Sequence, residues 1–464
     1  MSDIKIIPCP EFYLNEEPEG RIIELADEDY IQRVDLLQAR MEEKGLDYVC
    51  IYGDREHFSN IEYFTKYDCR FEEGLFIMSR TGQKYILVGN EGMAYSFLIP
   101  YDIERILYQN FSLQGQPRDK IVTLTEIFED VGMTPDSKVG LVGYKYFYPA
   151  YYAHPERHHD VPAYLLAELM QVTSNVINFT EEITGLPDGL RMTIRSPREI
   201  AVIEQKAVKA ANIVLRILKS LKPGMSELEA SVCGKLDYTP INVHPMLNFG
   251  DSIPVGLKSP SDRVFLTDGD LCNVCYSFRG SLISRTGVAA SSFEKYPEEL
   301  KPELEAFYME HWRAIAKWYE TIKAGVTGGE LYKNVTDIIG GEKFGMTLNP
   351  GHNIGTDEWS NSPVYENSEI PVHSGTHMQC DIIASSSDPV MCAICEDTVV
   401  IADQQLRDAL KNEYPEVYAR IIKRQEMMRS SLNIPVSDDV LLMSNLNGVY
   451  FPFMLDLNSI MAQN

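Results

Sequence analysis

Positive charge is scarce in this chain: 42 lysines and arginines stand against 68 aspartates and glutamates, a formal net charge of −26 over 464 residues. Such a surface repels nucleic acid and anionic membranes, so neither is an expected partner. It is weakly compatible with a cationic small substrate, but a well-solvated acidic surface accounts for it better. A run of about 18 apolar residues is missing too, so no membrane span is expected. The opening residues, Met1-Ser-Asp-Ile-Lys-Ile-Ile-Pro8, lack a basic stretch before an apolar core, and no signal peptide is expected. Nine cysteines, an odd number scattered through predicted strands and helices, suit reduced thiols and a cytoplasmic location better than a disulfide framework.

What is present looks like an ordinary globular chain of two domains or more. An α/β pattern fills the first part. An amphipathic segment over 31–44 stops at Gly45 and leads into the strand Tyr48-Val-Cys-Ile-Tyr52, and further strand-like runs begin at Gly74, Tyr85 and Lys138. Residues 145–161 are rich in Tyr, Pro and His and read as a loop. His154, His158, His159 and Asp160 could gather a metal there, but adjacent loop histidines are more often solvated. A boundary falls near 190–196. Ser196-Pro197-Arg198-Glu199 is a helix start with an N-cap, a first-turn proline and a capping glutamate. That helix stops at Lys222-Pro223-Gly224, and Ser226 with Glu229 makes a second capping box.

The same grammar then returns. A helix over Glu303–Lys323 ends at Gly325, and Gly325-Val-Thr-Gly-Gly-Glu-Leu331 echoes Gly224-Met-Ser-Glu-Leu228, which predicts an internally duplicated α+β domain. The tail after Asp403 reads as two short helices parted by Pro415, then an apolar end packed back on the body. The expected domains are 1–190, 191–405 and a helical extension at 406–464.

Chemistry concentrates between Asn349 and Asp397. A glycine-framed histidine, Pro350-Gly351-His352-Asn353-Ile354-Gly355, precedes Asp381 in Gln379-Cys380-Asp381 and then Glu396 in Cys395-Glu396-Asp397. One imidazole with two carboxylates can bind a metal or exchange protons. Strand alternation places Asn273, Cys275 and Ser277 on one face, and Leu282, Ser284 and Thr286 together on the return strand after Arg279-Gly280. It also separates Cys272 from Cys275 and Cys392 from Cys395, so neither Cys-x-x-Cys pair can chelate as a zinc knuckle.

With these motifs the chain resembles the pita-bread family of creatinase, prolidase, Xaa-Pro aminopeptidase and methionine aminopeptidase from about Arg195 to Asp403. The matching pieces are Arg195-Ser-Pro-Arg-Glu-Ile200, Lys222-Pro-Gly-Met-Ser-Glu-Leu228, Gly269-Asp270, Arg285-Thr286, the His352 motif and Glu396-Asp397. The first part resembles the creatinase/prolidase N-terminal domain. The resemblance implies the α+β pita-bread fold, a homodimer, and three positions of a dinuclear metal centre at His352, Asp381 and Glu396. The two aspartate positions on the paired strands fall at Cys275 and near Leu282, and the second histidine position at Trp359, followed by Ser360. The glutamate that creatinase carries before its Arg-Thr pair is Ser284 here. The histidine that creatinase carries shortly before its Gly-Asp strand has no counterpart here, where Leu257-Lys258-Ser259-Pro260 stands; His244 lies upstream, and a histidine before proline is more often structural than a pocket residue.

Two divalent ions a few ångströms apart need bridging carboxylates on several sides. With both aspartates replaced, no dinuclear centre and no cofactor are expected; a single divalent ion at His352, Asp381 and Glu396 is the alternative. The expected function is hydrolysis of an amide- or amidine-type C–N bond in a small molecule or short peptide. His352, Asp381 and Glu396 would be the catalytic groups, and Cys275, paired with His352, a candidate nucleophile. Gln379, Ser284 and Trp359 are expected to touch substrate. The alternatives are an Xaa-Pro peptidase with a reduced metal site and a non-catalytic binder of peptides or a partner.

Overall fold

The computed structural model describes residues 4–237 and 239–464, which divide into two compact units. One is Leu25–Met192; the other joins residues up to Glu24 with Thr193–Asn464.

In Leu25–Met192 a six-stranded mixed sheet runs Glu104–Leu107, Lys84–Val88, Gly74–Ser79, Tyr48–Gly53, Val139–Val142, Val176–Asn178. Alternate side chains of its inner strands divide between two cores. Val49, Ile51, Phe76 and Met78 enter one; Leu75, Ile77, Cys50 and Tyr52 enter the other. Helix Asp27–Glu43 supplies Val34, Leu37 and Met41 to the first, and helices Leu124–Asp130 and Ala163–Val172 close the second. Burial on both faces is why these strands read as unbroken apolar runs. Residues 145–161 are irregular apart from one turn at Pro155–Arg157. They do not assemble the metal cluster considered from the sequence: the Asp160 carboxylate accepts from the backbone of Tyr144 and Lys145, and His154 faces Glu156.

The second unit repeats one arrangement twice. Helix Pro197–Ser220, opened by the Ser196–Glu199 capping box, is followed by helix Glu227–Val232, opened by Ser226–Glu229. A π-helical turn at Leu304–Met309 runs into helix Glu310–Thr321, and helix Gly328–Ile339 opens with the box Thr327–Glu330. Each helix pair is joined through a left-handed glycine, Gly224 at φ 88° and Gly325 at φ 90°. The caps Ser226 and Thr327 also make matching isolated bridges, to Phe265 and Pro371. The second long helix departs from expectation at both ends, starting with the π turn and stopping at Thr321 rather than Lys323.

The unit's sheet has eight antiparallel strands, and its spine is Val390–Ile401. The first half of this strand pairs with Ile383–Ser387 and Ser281–Val288, the second half with His377–Cys380 and Val440–Leu442. Leu271–Phe278 and Ser281–Val288 form the expected hairpin, with Ser284 opposite Cys275 and Leu282 opposite Ser277.

Arg285 locks this sheet from behind. It is fully buried, and its guanidinium donates to the carbonyls of Ser284, Glu396, Leu446 and Val449 and to the Asp397 carboxylate at 2.8 Å. The other Asp397 oxygen accepts from Gly448 N. One ion pair therefore ties the middle of the spine to the hairpin and to the chain's last turns.

The tail has the two expected helices, Gln404–Glu413 and Pro415–Ser431, parted at Pro415, and a buried apolar end, but it is not the helical extension expected over 406–464. It is helical only through Ser431, after which Val440–Leu442 fills a place beside the spine and Ser459–Gln463 pairs with Ile4–Pro8. That pairing, with Arg424 gripping Glu17, is why the first residues group with this unit and not with the expected domain 1–190. Breaking a buried ion pair from one side costs about 3–5 kcal/mol, because the other charge stays buried. Asp397→Leu is therefore expected to lower unfolding free energy by about that amount in denaturant titration; a loss below about 1 kcal/mol would show that the clamp is dispensable.

Candidate functional site

His352 is positioned by backbone constraints before any side chain acts. Gly351 adopts φ 123°, with the Trp318 indole and the Gln379 carbonyl where a side chain would stand. The two-residue strand His352–Asn353 then pairs with Gln379 and Met378. The imidazole is fully buried, its Nδ1 lies 3.2 Å from the Asn353 carbonyl, and Trp359 stacks on it at 4.0 Å with ring planes 14° apart. Nε2 has no hydrogen-bond partner and faces carboxyl oxygens of Glu358 at 3.3 Å, Glu396 at 3.7 Å and Asp381 at 3.8 Å.

His352, Asp381 and Glu396 thus come together as the sequence predicted. Glu358 was not foreseen. It precedes Trp359 in the loop Gly355-Thr-Asp-Glu-Trp-Ser360, where strand alternation has nothing to say about direction; an acidic residue beside the aromatic was the available signal. Gln379 donates through Nε2 to the Leu282 carbonyl at 2.9 Å and to Glu396 at 3.2 Å, so it orients that carboxyl. Its Oε1 and the Asp381 Oδ1 are buried without partners.

The remaining predicted residues do other work. Ser284 donates to the Asn273 side chain at 3.1 Å. Cys275 lies in an apolar cluster with Leu282 and Ile354, edged by Val243 and Met246. Burial, then the charges of Glu396 and Glu358, push its thiol well above the ordinary range. A neutral thiol in an apolar wall is a poor nucleophile, so the expected Cys275/His352 pair is not supported. His244 is exposed and contacts the Leu257 carbonyl.

Asp381 and Glu396 offer donor atoms within 4.8 Å of each other, close enough for two carboxylates to repel strongly in a buried site, so the cluster holds protons or a cation. Burial raises all three carboxyls. Asp381 reaches about 8, with Glu396 adding to the rise and His352 opposing it. Glu396 stands well above the usual range from burial and from Glu358, and Glu358 is raised chiefly by burial.

The donor chemistry tests the metal content directly. Among the described residues, His352, Asp381 and Glu396 are the one His/Cys/Asp/Glu group able to converge on an ion, with donor atoms within 4.8 Å of one another. Their donors suit one divalent ion. A second ion does not fit, since the wall that would have to supply its carboxylates is Cys275, Leu282 and Ile354.

A duplicated α+β unit with this pocket in its sheet, combined in one chain with a three-layer α/β unit, is the pita-bread fold, shared with the prolidase and Xaa-Pro dipeptidase structures that this chain resembles. Among solved structures it resembles the Xaa-Pro dipeptidase from Bacillus anthracis, at 16% identity and TM-score 0.61, covering 81% of this chain and 96% of that one. It also resembles the X-Pro aminopeptidase from Thermotoga maritima MSB8, at 16% identity, 80% and 95% coverage and TM-score 0.61. The prolidase from Pyrococcus furiosus matches at 18% identity, 79% and 96% coverage and TM-score 0.59. No protein-family model matches the chain, and no curated protein matches it in sequence. No helix among the described residues is long and apolar enough to cross a membrane.

The raised carboxyls carry a consequence for stability. Asp381 in the fold keeps its proton up to about pH 8, whereas an unfolded aspartate releases it near roughly pH 3.9. Its stabilising contribution is therefore complete below about pH 4 and is lost as pH rises through about 8. Denaturant melts at about pH 6 and about pH 9 are expected to show wild type weaker at the higher pH, and Asp381→Asn with a smaller difference. Identical pH profiles for the two proteins would contradict the assignment.

Proposed function

We propose that this protein hydrolyses an amide- or amidine-type C–N bond of a small molecule or short peptide, and does so without a dinuclear metal centre. The observation that carries the reading is the partnerless Nε2 of buried His352 facing three carboxyl groups, opposite an apolar wall. In this reading His352 takes a proton from water at Nε2. Asp381, still protonated near neutral pH, passes one to the departing nitrogen. Glu396, held by Gln379, lies beside Nε2 and orients the imidazole. Trp359 covers the imidazole face and, with Leu282 and Ile354, limits water in the pocket. A homodimer belongs to the same reading, as does a reducing compartment, which nine unpaired cysteines support.

A second reading is an Xaa-Pro-type peptidase with one divalent ion, favoured by the convergence of the three donor atoms and by the names of the similar structures. His352, Asp381 and Glu396 would hold the ion, which would supply a Lewis acid toward a substrate carbonyl. Turnover of amides, amidines and Xaa-Pro dipeptides, before and after chelation, separates the two. The first reading predicts activity that survives chelation and falls by about 10²–10⁴-fold in His352→Ala. Loss on chelation with recovery on adding one metal would establish the second. Absence of turnover on every substrate would leave a binding protein and overturn both.

A further inference from the structure

We infer, on the reading in which Asp381 passes a proton to the departing nitrogen, that His311 is a positioning residue: it fixes the break in the sheet from which Asp381 reaches His352.

The break is local. Asp381 and Ile382 belong neither to strand His377–Cys380 nor to strand Ile383–Ser387. Both strands nevertheless keep one register against the spine. Cys380 stands opposite Asp397 and Ile383 opposite Ile394, so Asp381 falls opposite Glu396. A buried carbonyl inside such a gap needs a partner from outside the ladder, because leaving it unpaired is costly. For Ile382, which is fully buried, that partner is a side chain: His311 donates through Nε2 to its carbonyl at 2.8 Å. A carbonyl only accepts, so the proton of the neutral imidazole sits on Nε2. Burial keeps the ring neutral by lowering it to about 4.

His311 is itself held. It is fully buried near the start of helix Glu310–Thr321, and the Tyr450 ring meets its ring edge-on at 5.8 Å. The Tyr450 hydroxyl donates to the Thr286 carbonyl at 2.8 Å, so the imidazole leans on the hairpin strand that also carries Ser284. Among the described residues nothing pairs with His311 Nδ1, so the imidazole's one polar contact is the bond to Ile382. Asp381 lacks comparable support at its own side chain: Oδ1 has no partner among the described residues, and Oδ2 stands 3.8 Å from His352 Nε2. Its placement therefore depends on the backbone, which His311 grips one residue further on.

Crystal structures and kinetics of wild type, His311→Leu and His311→Gln test the assignment. Leucine removes the donor, and the glutamine amide keeps one at the reach of Nε2. In His311→Leu the Asp381 carboxyl is expected to shift from His352 by about 1 Å, a displacement of the size that costs about 10²-fold in rate, with the Arg285–Asp397 clamp in place. On a substrate that wild type turns over, kcat should fall by that factor with KM nearly unchanged, and His311→Gln should restore most of it. A purely structural role predicts instead a lower melting temperature with kcat intact. An unmoved Asp381 in His311→Leu, an unchanged kcat, or a His311→Gln as slow as His311→Leu would each overturn the assignment. If wild type turns over no amide, amidine or Xaa-Pro dipeptide, the hydrolase reading fails by itself, and the position of Asp381 in the crystals still decides whether His311 holds it. Should His311→Leu not fold, His311→Asn, whose amide is too short to reach the carbonyl, replaces it in both measurements.

Discussion

Like charges gathered in a dry pocket require something positive among them, and that requirement organises this protein's site. Glu358, Asp381 and Glu396 share one imidazole, and among the described residues no lysine or arginine is ion-paired with their carboxyls. Protons, a cation or both must fill the role. The opposite wall decides how many cations can be held. Where paired ions would need carboxylates, Cys275, Leu282 and Ile354 present a thiol and two aliphatic groups. On the reading proposed above, the pocket holds one positive centre.

The rest of the unit keeps that arrangement rigid. Ser284 pairs with both Cys275 and Glu396 across the sheet, so the apolar wall and the acidic cluster are set at neighbouring strands of one register. Behind Glu396, the Arg285–Asp397 pair ties backbone carbonyls of the hairpin, the spine strand and the last turns into one knot. In front, the φ of Gly351 and the stacked Trp359 fix the imidazole. Each donor except Glu358 is therefore placed by sheet geometry or by a constrained turn, as a preorganised site requires.

Much of this was legible in the residues. Capping boxes and left-handed glycines gave the duplication away, because helix ends are punctuated locally. Alternation set Asn273, Cys275 and Ser277 on one face and Leu282, Ser284 and Thr286 together, two sets that the hairpin register then pairs, and it separated Cys272 from Cys275, because side-chain direction along a strand follows from parity alone. Parity says nothing of what a face meets, however. Cys275 was open to a nucleophilic role until the cluster with Leu282 and Ile354 appeared. Glu358 escaped because its direction is set by a loop and by the stacking of Trp359, a contact between residues seven positions apart that no periodicity encodes. The tail was misjudged for a similar reason: Val440–Leu442 is strand because the spine offers it an edge, a condition supplied by residues far away in sequence.

Metal content of the native protein tests the central claim most directly. Elemental analysis of chain purified without chelators or affinity metals should give no more than one transition-metal ion per polypeptide. A ratio of two would mean that the thiol-and-aliphatic wall does not limit the pocket to one positive centre, and the account would fail.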